Sequence, residues 1–461
     1  MLFNSYEFLL FFLPASVAGY FFFNRFRAGN LWLVACSFFF YAWWRVNFLP
    51  LLLASIAVNF IVGRTIVHRA AMGQATRALL VAGIAFNLML LGYFKYAGFF
   101  AANVALLFAV PAPALDVILP IGISFFTFTQ IAFLVDASHR KAAEPNLVNY
   151  ALFVSYFPHL LAGPILHHRE MMPQFADRTN KRVVWENVAR GLALLAIGLG
   201  KKVLIADELA QVVNAGYSAL HVPGFGDAWL TVICYTMQIY FDFSGYTDMA
   251  LGMALMMNIR LPQNFDSPYR QRNLREFWRH WHITLMRFLR DYVYIPIGGS
   301  RKGEAFTAFA LVFTFALGGL WHGAAWTFVL WGVVNGIGLV IVRWWGRAGI
   351  ALPAIVAWAI TFLFTNFAWV LFRAPDIATA RSVFAALAGR HGYGGVTLFA
   401  PTHYTYAVLA VACVLAVLPR NSNRISSELT FAWPWQAATA LLLAAGILSV
   451  GNPTEFLYFN F

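Results

Sequence analysis

Between residues 305 and 342 the chain runs for 38 residues without a charged side chain, and its single histidine is His322. One straight helix of that length would reach about 57 Å, roughly twice the ~30 Å hydrocarbon core of a bilayer. Both flanks are basic, with Arg301 and Lys302 before the run and Arg343 and Arg347 after it, so the run has to fold back on itself. Gly318-Gly319-Leu320-Trp321-His322-Gly323 sits near its midpoint and supplies the break. His322 is therefore expected at the apex of a hairpin, inside the membrane or near its outer face. An ionisable side chain there is costly and marks function by default, and a neutral imidazole is a natural general base near pH 7. The competing account is a structural histidine bonded to carbonyls that the glycines free.

Two more histidines lie in the longest polar stretch, residues 258–302, where nine Lys/Arg face three Asp/Glu and leave a net charge of +6. Asn273-Leu274-Arg275-Glu276 reads as a variant capping box. Leu274, Phe277, Trp278, Trp281, Leu285, Phe288, Leu289 and Tyr292 then recur every three to four residues. That spacing predicts one amphipathic helix with an apolar stripe of about 120°, lying at the interface or plugging a cavity. His280 falls on its charged face with Glu276, Arg287 and Asp291, whereas His282 falls at the edge of the stripe beside Trp278. His282 is thus the candidate for a buried role, against the alternative of an interfacial histidine that meets lipid headgroups. A metal pair is excluded, because side chains two apart on a helix diverge by about 200° and no third ligand is evident.

A third cluster lies in the apolar stretch 228–257. Gln238, Asp242 and Tyr246 follow one another at four-residue spacing, as do Ser244 and Asp248, which stacks them on two adjoining faces. Carboxyls in a membrane span need partners or a wet cavity. They are expected to line a substrate route or to pair with an arginine.

Elements of a particular kind must position these groups. Of the 461 residues 61% are hydrophobic and 11% charged, against about 25% charged in soluble domains, so the bilayer is the solvent. The net charge of +13 belongs to loops on the cytoplasmic side, and with no soluble basic domain to carry it, nucleic-acid binding is excluded. Cys36, Cys234 and Cys413 are far apart and form no CxxC pair, which excludes a disulfide framework. Apolar runs recur at about 5–23, 31–44, 48–67, 78–108, 119–135, 190–214, 228–257, 305–320, 324–342, 352–372, 403–418 and 430–450. The first carries Glu7 ahead of it and Arg25 and Arg27 behind it, the flanks of an uncleaved span with its N-terminus outside. Segment 150–166 separates two basic loops and holds Pro158, Gly163 and Pro164. It is expected to dip in and return, which requires a covering cavity. The expectation is an all-α polytopic integral membrane protein, a single domain over 1–461, with about 11 transmembrane helices plus re-entrant and interfacial pieces.

At these residues the chain resembles the membrane-bound O-acyltransferase family, nearest the branch of alginate O-acetyltransferases and teichoic acid D-alanyl transferases. The matching stretches are LPIGISFFTFTQIAFLVD from Leu119, FPHLLAGPI from Phe157 and QIYFDFSGYTDMALGMA from Gln238. They continue with NFDSPYRQRNLREFWRHWHITLMRFLRDYVYIPIGGSRKG from Asn264 and GLWHGAAWTFVLWG from Gly319. The opening MLFNSYEFLLFFLP and the closing FLYFNF are similar in character. The resemblance implies helices ringed around a central tunnel, with the family's near-invariant histidine at His322 and its second histidine at His282. It implies a cytoplasmic acyl thioester donor such as acetyl-CoA, whose phosphates would meet the basic face at Arg275 and Arg279, and an acceptor arriving from the far side. FPHLLAGPILHH departs from the family pattern in carrying His159, His167 and His168.

The mechanism so implied makes His322 the base that takes the acceptor hydroxyl's proton, or the nucleophile of an acyl-imidazole variant. His282, Trp321 or Asn264 would stabilise the oxyanion or position the thiol, and Trp278 would help line the tunnel. The acceptor is expected to be an exopolysaccharide such as alginate, reached through a periplasmic partner from the bacterial inner membrane, with no tightly bound cofactor and no metal. Two rivals remain. D-alanyl transfer would need a carrier protein, and a proton- or ion-coupled transporter would use Asp242, Asp248 and His322 and would show inverted repeats.

Overall fold

Every regular element among the described residues is helical, and the one β-type contact is an isolated bridge between Phe265 and Trp281. The computed structural model describes all residues except 112, 114, 116, 144–145, 219–223, 394–400, 431, 452–455 and 458–461. The closing FLYFNF run lies outside the described residues from position 458 onward.

Among the described residues six helices are long and apolar enough to cross a membrane, against the expectation of about eleven spans. They are α1 (Glu7–Asn24), α3 (Val46–Ala71), α4 (Arg77–Leu107), α10 (Glu304–His322), α11 (Trp326–Arg347) and α12 (Ala354–Arg373). Between them lie α2 (Gly29–Trp44), α5 (Ile123–Ser138), α6 (Trp185–Gly200), α7 (Phe225–Met256), α8 (Leu274–His280) and α9 (Ile283–Leu289), and near the C-terminus α13 (Trp433–Leu448). The difference lies in helix length and charge. Helices α2, α5 and α13 have 16 residues each, about 24 Å of rise. Helix α7 has 32 residues but carries Asp227, Asp242 and Asp248.

Segment 150–166 is irregular. Helix Leu147–Ser155 has nine residues, too short to cross a bilayer at about 13 Å, and a single turn Phe157–Leu160 follows. Every residue from Tyr150 to Leu166 is buried, so protein covers its irregular backbone, as membrane depth demands.

Helices α10 and α11 form the expected hairpin. At its charged end Arg343 holds the Glu304 carboxylate with two bonds, Nη2 to Oε1 at 2.8 Å and Nε to Oε2 at 3.0 Å, and Arg347 joins them. The opposite end turns through Gly323, which is extended at φ −159°, ψ 150°. Gly318 and Gly319 do not supply the break, because both are helical. A Cβ on Gly319 would overlap the Phe328 carbonyl, and one on Gly332 would overlap that of Phe315. These glycines let the two backbones touch, the role of small residues between membrane helices. Helices α6 and α7 use the same device, and a Cβ on Gly198 would lie 2.5 Å from the Gly245 carbonyl oxygen.

The amphipathic helix expected from Leu274 is instead two short ones, α8 and α9. Asn273 caps α8 as anticipated, its side chain accepting from Glu276 N at 2.9 Å. Trp281 is then extended, and His282 takes the left-handed conformation at φ 45°, ψ 51°. The cause is competition for backbone bonds. Asp266 N donates to His280 O at 3.0 Å and Ile283 N to Asn264 O at 3.0 Å, which removes both groups from the helical ladder. Periodicity cannot register a rival chain segment.

Candidate active site

His322 is the last residue of α10, and its ring packs against Trp321, Trp331 and Phe372 at centroid distances of 5.0, 5.3 and 5.0 Å. The His282 ring lies 6.4 Å away. The two histidines are 4% and 1% exposed. Left-handed backbone at a residue with a Cβ persists only where its surroundings impose it, and Asn264 does so here. The Asn264 side-chain oxygen accepts from Thr284 Oγ1 at 2.6 Å, from Thr284 N at 3.2 Å and, at 3.4 Å, from His282 Nδ1. Because that oxygen is an acceptor, the contact is a hydrogen bond when His282 carries its proton on Nδ1.

His322 lines a cavity of about 130 Å³ with Trp44, Lys95, Pro120, Ser124, Leu161 and Trp321. Trp44, exposed at the end of α2, marks its mouth. Lys95 was not singled out by the sequence reasoning. Its ammonium donates to the carbonyls of Trp321 at 2.6 Å and His322 at 3.1 Å and to Ser124 Oγ at 3.3 Å. The Tyr96 hydroxyl donates to Leu320 O at 2.9 Å. The end carbonyls of α10, the partners that a purely structural histidine requires, thus have Lys95 and Tyr96 as donors. Lys95 sits in a π-helical turn, Gly92–Tyr96, and such turns concentrate at functional sites. Its signal was present, for it is the one charged residue in run 78–108.

The other expected residues divide. Trp321 stacks on Phe128 at 5.2 Å, and its indole N–H is buried with no hydrogen-bond partner among the described residues. Trp278 Nε1 donates to Asn335 Oδ1 at 3.2 Å, and its ring meets Trp331 at 5.6 Å. Helix α7 turns Phe243 toward His282, ring to ring at 4.8 Å. Its carboxylates lie against lysines rather than an arginine. Lys202 Nζ donates to Asp242 Oδ1 at 2.7 Å and contacts Asp207 at 2.9 Å, and Lys201 Nζ donates to Asp248 Oδ2 at 2.6 Å and to Ser244 Oγ at 3.3 Å. The Tyr246 hydroxyl accepts from Ala162 N at 3.4 Å, and Gln238 is buried on the same helix. His280 is partly exposed and bonds Glu276 O through Nδ1 at 2.7 Å. Arg275 and Arg279 are exposed, Arg279 pairing with Glu276 at 2.8 Å. His159 bonds Phe153 O at 3.0 Å, and His167 bonds Tyr292 at 3.3 Å. Among the described residues no cluster of three potential metal ligands occurs.

Residues 119–375 match the family model for the membrane-bound O-acyltransferase family. A peptidoglycan O-acetyltransferase of Helicobacter pylori is 38% identical over all of this chain and 98% of its own length. A probable alginate O-acetylase AlgI of Azotobacter vinelandii is 42% identical over 84% of this chain and 78% of its own. A teichoic acid D-alanyltransferase of Bacillus subtilis is 28% identical over 44% of this chain and 54% of its own.

Proposed function

The chain belongs to the membrane-bound O-acyltransferase family, and from that premise we propose that it moves acetyl from a cytoplasmic thioester to a sugar hydroxyl of a cell-envelope polysaccharide. The observation that carries this reading is the pair of buried histidines 6.4 Å apart, one of them at the inner end of a cavity. His322 takes the acceptor hydroxyl's proton as that oxygen attacks the thioester carbonyl. The C–S bond then breaks, the proton passes from the imidazolium to the thiolate, and ester and thiol depart. The Trp321 indole N–H is suited to the oxyanion, since it is a buried donor without another demand on it. With its proton on Nδ1, His282 would offer Nε2 as an acceptor, which suits it to orient the attacking O–H rather than to donate to an oxyanion. Lys95 fixes the end of α10 and so the position of His322.

Orientation follows from charge. The basic end of the α10–α11 hairpin belongs to the cytoplasm, and α10 carries His322 about 28 Å from it. The donor would then approach past Arg275 and Arg279, and the acceptor through the cavity at Trp44, in a bacterial inner membrane. A separate periplasmic protein would present or relay the acetyl group to the polymer. Relatives named for acetylation cover most of this chain, whereas the D-alanyltransferase match covers less than half of it, which favours acetyl over D-alanyl. The acceptor is alginate-like or, on the full-length similarity, peptidoglycan.

The test is the O-acetyl content of exopolysaccharide and peptidoglycan in cells carrying the wild type, His322→Ala, His282→Ala or His280→Ala, with each protein's membrane level measured. The reading expects His322→Ala to be present in the membrane and the polymer to lack acetyl, while His280→Ala stays near normal. Normal acetylation by His322→Ala would sink it.

A further inference from the structure

We propose that a groove between α1, α6 and α13 holds an anionic phospholipid of the cytoplasmic leaflet. The groove has a volume of about 880 Å³, and its lining runs from Leu9 to Arg25 along α1, a rise of about 24 Å. That exceeds the ~15 Å depth of one leaflet of a ~30 Å core. Its walls are apolar and come from three separate elements, with Leu13 and Phe21 on α1, Leu192 on α6 and Ile447 on α13.

One end is different. Arg25, Arg178, Lys181 and Arg182 line it together, and no carboxylate is among the lining residues. None of the four forms an ion pair in the described structure, and Glu186, the acid nearest in sequence to Arg182, is held by Arg190 at 2.8 Å. Burial pushes the Lys181 ammonium down to about 8 despite the raising effect of Asp177. The half-buried ammonium donates to neutral groups, Asn30 Oδ1 at 2.6 Å and the Tyr20 hydroxyl at 3.3 Å, and an added anion would favour its charged form. Trp185, 76% exposed, stands at the same end, where interfacial tryptophans mark headgroup level. Four cations at headgroup depth above an apolar slot match a phosphate carried on acyl chains, a chemistry distinct from general attraction of basic loops to the leaflet.

The test uses the full-length protein in neutral detergent and native mass spectrometry. The probes are phosphatidylglycerol, phosphatidylcholine of the same acyl chains, and inorganic phosphate. Wild type is expected to retain phosphatidylglycerol in preference to phosphatidylcholine. Arg178→Gln with Arg182→Gln should lower phosphatidylglycerol occupancy by about tenfold and leave phosphatidylcholine unchanged. Val188→Trp, which fills the wall, should lower occupancy with the charges intact. Thermal melting checks that each variant is folded. Equal retention of the two lipids, an unchanged double arginine variant, full displacement by inorganic phosphate, or a lipid-free dimer that buries the groove would each overturn the proposal.

Discussion

Two of the places where the described residues bury ionisable side chains solve the problem in opposite ways. Along α6 and α7, Lys202 faces Asp242 and Lys201 faces Asp248 at hydrogen-bonding distance. Each buried charge has its complement, the condition under which such groups can be tolerated at all. At the end of α10, His322 and His282 face each other across 6.4 Å among tryptophan and phenylalanine rings. Their charge demands no complement because a neutral imidazole carries none. Groups locked to one another hold helices together, whereas groups that can gain a proton are available for chemistry. On the proposed reading the histidines serve proton transfer and the Lys–Asp pairs serve packing.

The comparison can be broken at either place. The largest effect is expected at the histidines. His322→Ala should lower acetyl transfer by about 10³-fold, within the range for a lost general base, with melting temperature in detergent little changed. Next, Asp242→Asn should leave Lys202 with Asp207 as its one carboxylate among the described ion pairs and cost about 2–3 kcal/mol of stability, read as lower membrane abundance and earlier thermal unfolding. Lys202→Met combined with Asp242→Asn should recover most of that loss. Lys95→Met should slow turnover about 10–100-fold, or about 1.4–2.7 kcal/mol, and Lys95→Arg should restore part of it. Turnover unchanged in Lys95→Met would remove the clamp from the account. Smallest of all, His280→Ala should stay within about a factor of two, as exposed substitutions usually do.

The sequence made the hairpin legible because a charge-free run twice the membrane's thickness between basic flanks has few solutions. The Asn273 cap was legible for a local reason, as was the polar character of α7. What escaped depends on contacts distant in sequence. The break at Trp281–His282 is imposed by residues 264–266, and no periodicity in 274–292 carries that information. Lys201 and Lys202 neutralise α7 from a π-helical turn, Lys201–Ala206, at the end of another helix. Lys95 was visible as a lone charge in run 78–108, but its target, the carbonyls at Trp321 and His322, lies more than 220 residues away. Six described helices have the length and apolarity of a span, whereas α2, α5 and α13 are as apolar with 16 residues each, so apolar runs alone do not fix the number of crossings.

The most direct test sets the two buried regions against each other in one assay. Polymer O-acetyl content would be measured in cells carrying either His322→Ala or the paired change Lys202→Met with Asp242→Asn, at matched membrane levels. The account predicts unacetylated polymer with His322→Ala and substantial acetylation with the paired change. Acetylated polymer with His322→Ala and none with the paired change would contradict it and move the chemistry to the carboxylates of α7.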